Sequence, residues 1–143
     1  MRSRHNARKC VIQALYQLDA LGDSKGESIK EFEEVYLDKD KKREDKNYYK
    51  FFRSLLEGVL KNVSFLDEKI VSYSSRQRVN SLGRVERSIL RVGAYELIFT
   101  KDTPKAVIID EAVRLAKEFA TEEAAIFVNG VLDKLGRECR EET

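Results

Sequence analysis

Proline occurs once in 143 residues and glycine seven times. So few turn formers argue against an all-β chain that reverses every ten residues or so, and against a flexible low-complexity chain. No apolar run approaches the roughly 18 residues that a membrane span needs. The opening MRSRHNARKC is basic but leads into no uninterrupted apolar stretch, so a secretory signal is not expected. The two cysteines, Cys10 and Cys139, are far apart and form no CxxC, as expected of free thiols in a reducing cytoplasm. One histidine, no GxGxxG, no P-loop and no HExxH leave little for an enzyme, a cofactor or a metal to use. The reading is therefore non-catalytic, with no cofactor.

What the chain does have is charge, at 36%, beside 42% apolar residues, the balance of a globular domain with a wet surface. The net charge of +2 hides an uneven distribution. Residues 1–18 hold Arg2, Arg4, Arg8 and Lys9 and no acid. Residues 74–91 hold Arg76, Arg78, Arg84, Arg87 and Arg91 against Glu86 alone. Residues 110–143 carry nine acids and five bases. Two basic patches and an acidic end suit a polyanion on one face and a basic partner on another.

The apolar period is close to 3.6 nearly throughout, which predicts an all-α fold of about seven helices. The first is expected from Arg4 to Leu21, with Ala7, Val11, Ala14, Leu18 and Leu21 inward and Gly22 as its stop. Ser28 and Glu31 read as a capping box for a short helix through Val35 and Tyr36, before a charged loop at 38–47. A third helix, 48–62, turns Phe51, Phe52, Leu55, Leu56 and Val59 inward. Ser64 with Asp67 would cap a fourth ending near Tyr73, and 74–83 reads as a connection. Helix 84–99 is apolar on nearly all sides after Ile89, the mark of a buried centre. Thr103-Pro104 signals the next start, with Ile109, Ala112, Val113, Ala116 and Phe119 inward. Thr121 caps the last helix, whose stripe is Ala124, Phe127, Val128, Val131 and Leu135. Gly130 inside it would let another helix come close.

Glu57 and Glu96, single acids in apolar helices, read as paired or edge carboxylates rather than catalytic ones, since no partner base is in view. Cys10, beside basic residues, reads as a small half-buried hydrophobe. The first helix is more informative. Arg4 and Arg8 lie one turn apart, as do His5 and Lys9, and the second file runs on to Ile12 and Tyr16, expected outward. Cations, a stacking aromatic and the free N–H groups of a helix start form a footprint for nucleic acid, more RNA-like than DNA-like. A merely solvated chain end is the plain alternative.

Three blocks sharpen this: RSRHNARKCVIQALYQLD at 2–19, LGRVERSILRVGAYEL at 82–97, and TPKAVIIDEAVRLAKEFATEEAAIFVNGVLDKL at 103–135. Together they resemble the NusB family of bacterial transcription antitermination factors. The resemblance implies one NusB-like domain over 1–143, all-helical, with two packed bundles at 1–73 and 82–143. It implies pairing with NusE, a small-subunit ribosomal protein, and binding to single-stranded boxA RNA of nascent ribosomal transcripts in an RNA polymerase antitermination complex. RNA contacts carry over to Arg4, His5 and Arg8, with Arg2 and Lys9 as neighbours. His5 stands where the family has an arginine, and Asn6 where a base is frequent, so this patch is lighter in charge. NusE contacts carry over to Tyr16, Glu86 and Glu123.

Two other readings stand beside it. One is a self-associating protein, a homodimer with its RNA surface masked. The other is the non-catalytic portion of an RNA methyltransferase, since NusB-like domains also occur fused to such enzymes.

Overall fold

The computed structural model describes residues 3–22 and 46–140. All regular structure among them is helical: α1 (Arg4–Leu21), α2 (Lys46–Lys61), α3 (Val63–Ser72), α4 (Arg76–Asn80), α5 (Arg84–Phe99), α6 (Lys105–Phe119) and α7 (Glu122–Cys139). None of these helices is long and apolar enough to cross a membrane. The capping box at Ser28 and Glu31, the helix expected through Tyr36, and most of the charged loop lie outside the described residues, as does Arg2.

The chain divides into two compact units, 1–61 and 62–143. The expected boundary falls later and keeps α3 with the first half. Instead α3 lies in the second unit, against α5.

In the first unit α1 packs on α2. Ser3 caps α1, its Oγ accepting from the Asn6 N–H at 3.1 Å, and Gly22 ends it at φ +73°, the left-handed conformation a glycine adopts without strain. Ala7, Val11, Ala14 and Leu18 are buried as expected, but Leu21 is 72% exposed and Ile12, expected outward, only 2% exposed. The buried arc is wider than one stripe and centred toward Leu15, so it takes in Arg8 and Ile12. On α2, Tyr48, Phe52, Leu55, Leu56 and Val59 are buried and Phe51 half-buried.

In the second unit α5 is the hub, touching α3, α6 and α7. Its bounds are those the sequence predicts, and eight of its residues are buried, from Ser88 to Leu97. Gly93 explains how closely α7 approaches: a Cβ there would lie 2.6 Å from Leu132 Cδ1. Gly130, expected to serve that purpose, is exposed with nothing within 4 Å of a would-be Cβ.

Other starts shift too. Asn62, not Ser64, precedes α3, without a side-chain cap. Ser75 opens α4 inside the expected connection, accepting from the Arg78 N–H. Pro104 is itself the N-cap of α6, at φ −60° and ψ 146°. A residue before proline is pushed out of the helical region, so Thr103 lies outside the helix and is buried. The α6 stripe moves accordingly: Ile108 and Leu115 are core, Ile109 and Val113 half-buried, Phe119 exposed. Thr121 does cap α7, accepting from the Ala124 N–H at 2.9 Å.

The C-terminal carbonyls of α5 have a side-chain partner that the apolar pattern does not show. Arg140, at the end of α7, donates from Nε to Leu97 O (3.0 Å), from Nη1 to Thr103 O (2.6 Å), and from Nη2 to Glu96 O and Thr100 O. A buried cation at the negative end of a helix satisfies orphan acceptors and suits the dipole.

Candidate nucleic-acid interface

Four of the five expected RNA residues fall on the first two turns of α1, a helix with no acid in its first turn. They are not equivalent. Arg4 is exposed, His5 and Lys9 are half-buried, and Arg8 is only 3% exposed. The helical angle gives the reason. Arg8 lies four residues before Ile12 and three before Val11, inside the buried arc, whereas His5 and Lys9 lie at its edge. Arg8, expected among the RNA contacts, is thus a buried residue.

What Arg8 does meet is Phe51 of α2. Its guanidinium carbon lies 5.3 Å from the ring centroid, and that of Arg4 lies 4.7 Å from the same centroid. Three residues earlier on α2, the Tyr48 hydroxyl donates to Asn6 Oδ1 at 2.7 Å, and Cys10 Sγ lies 3.4 Å from that hydroxyl. Two aromatic residues on one face of α2 thus fasten the start of α1. Asn6, a neutral residue in a basic stretch, is the acceptor this arrangement needs. Phe51, expected in the core, is half-buried; its distance of three from Tyr48 is the signal that it shares a face with a residue at the cationic end.

Of the three expected partner residues, Tyr16 lies in the first unit on α1, 42% exposed. Glu86, in the first turn of α5, is half-buried, and Glu123, in the first turn of α7, is exposed. Both acids sit where a helix start favours negative charge.

The second basic patch is weaker than its composition suggests. Arg91 makes a two-pronged ion pair with Asp67, at 2.8 and 2.9 Å, and Arg76 pairs with Glu68 at 2.7 Å. Arg78 lies over the Phe127 ring at 4.7 Å, so Phe127, expected in the core, is half-buried beneath a cation. The acids that neutralise this patch come from α3, outside the 74–91 window. Glu57 is paired with Arg53 at 2.6 Å, one turn away. Among the described residues no group of three or more His, Cys, Asp or Glu could hold a metal ion.

The NusB family model matches residues 5–137. The transcription antitermination protein NusB of Campylobacter hominis is 39% identical over 137 residues, covering 96% of this chain and 98% of that protein. Among solved structures, NusB of T. maritima is similar with a TM-score of 0.83 at 36% identity, covering 96% of this chain and 92% of that one. A chain from the complex of the antitermination factors NusB and NusE with double-stranded RNA gives a TM-score of 0.81 at 33% identity, covering 96% and 98%.

Proposed function

The chain belongs to the NusB family, and from that premise we propose that it is a non-catalytic adaptor in transcription antitermination, pairing with NusE and holding nascent RNA. The observation that carries the RNA site is the acid-free start of α1, where Arg4, His5 and Lys9 gather around a Ser3-capped helix end. Cations and the positive end of the helix dipole there suit a phosphate backbone, which supplies most of the affinity and positions the strand.

In this reading Arg4 is the principal contact, His5 and Lys9 flank it, and buried Arg8 contributes charge from behind. Arg2 extends the same patch in sequence. The RNA is the single-stranded boxA element, and the assembly is the one that tethers it to RNA polymerase. Tyr16, Glu86 and Glu123 form the NusE contacts, an aromatic anchor with two carboxylates suited to a basic ribosomal protein.

Gel-shift with a boxA oligonucleotide, single-stranded and as a duplex, tests this with the protein alone and with NusE. The single strand should shift most strongly with NusE present. A stronger shift with the duplex would move the recognised form to double-stranded RNA. Light scattering of the same samples separates this adaptor from a homodimer with a masked RNA surface, since only the latter starts at twice the chain mass and ends, with NusE or RNA bound, as one chain per complex.

A further inference from the structure

Two guanidinium groups share one ring in the first unit, those of Arg4 and Arg8 over Phe51, at 4.7 and 5.3 Å from its centroid. One of the two is buried and the other is exposed. From this geometry we propose that Phe51 is a positioning residue for RNA binding, holding the Arg4 guanidinium in place at the start of α1 before a phosphate arrives. The proposal rests on the reading of α1 as the RNA-contacting element.

The physics is that of preorganisation. An exposed arginine has a long rotatable stem, and freezing it on binding subtracts from affinity. A ring beneath the guanidinium holds its face through cation–π attraction. Arg8, itself buried, brings a second guanidinium to the same ring. Tyr48, on the same face of α2, fixes the backbone beneath through Asn6. With backbone and side chain both held, Arg4 meets the strand without further ordering.

The test is a double-mutant cycle on the full chain with NusE, reading affinity for a single-stranded RNA oligonucleotide. Phe51→Leu should weaken RNA binding about three- to tenfold, and Phe51→Tyr, which keeps the ring, should restore it. In the Arg4→Ala background Phe51→Leu should have no further effect, because the group it positions is gone. An equal loss in both backgrounds, or a Phe51→Tyr chain as weak as Phe51→Leu, would overturn the proposal and leave Phe51 a packing residue. Should Phe51→Leu fail to fold, Phe51→Met takes its place in the cycle. If Arg4→Ala itself binds RNA as the wild type does, the failure lies with the α1 site and takes this proposal with it.

Discussion

Arg91 and Asp67 are twenty-four positions apart and meet in a fork, Nε on Oδ1 and Nη2 on Oδ2, at 2.8 and 2.9 Å. The pair joins α5 to α3 within the second unit. A two-pronged, partly buried pair is stronger than a surface contact, and only arginine has the planar fork it requires. Arg91→Ala should therefore destabilise the fold by about 1–3 kcal/mol, and Arg91→Lys should recover only part of that loss. Urea unfolding of both variants decides it; a lysine variant as stable as the wild type would reduce the fork to an ordinary charge pair.

Two glycines of the second unit should respond in opposite directions. At Gly93 a methyl group would press on Leu132, which is fully buried and has little room to retreat. Gly93→Ala is expected to cost about 1–3 kcal/mol. At Gly130 the surroundings are open and the backbone is helical, so Gly130→Ala should stabilise by about 0.4–1 kcal/mol. Thermal melts of the two variants side by side would show the contrast, and equal shifts of one sign would contradict it.

The difference between those glycines marks the limit of what the residues disclosed beforehand. Helix 84–99 was legible to the residue, because a run apolar on all sides has only one place to go. The cap at Thr121 was legible for a local reason too: a hydroxyl three residues ahead of the N–H it accepts from. Gly93 was not, because its role depends on Leu132 some forty positions on. The same holds for Arg8. A basic residue in a basic stretch reads as surface, yet the helical arc and Phe51 draw it inside. The 74–91 patch lost its apparent charge for a like reason, since Asp67 and Glu68 neutralise it from a neighbouring helix.

Tyr16 separates partner binding from folding. It is 42% exposed while the other side of α1 supplies the buried residues, so Tyr16→Ala should leave the melting temperature within a degree or two of the wild type. As an anchor for NusE it should nevertheless weaken the complex by about 2 kcal/mol or more. Calorimetric titration with NusE reads this directly. Unchanged affinity together with a much lower melting temperature would make Tyr16 a packing residue.

The salt dependence of binding tests most directly whether α1 presents its first turn to RNA. Each phosphate neutralised on a single strand contributes a slope of about −0.7 in log affinity against log salt. With NusE present, Arg4→Ala should lower affinity for boxA RNA and flatten that slope by about one such contact. Helicity and NusE affinity should stay as in the wild type. If Arg4→Ala instead followed the wild-type line at every salt concentration, the cations of α1 would be no more than a solvated helix end, and the RNA site would lie elsewhere on the molecule.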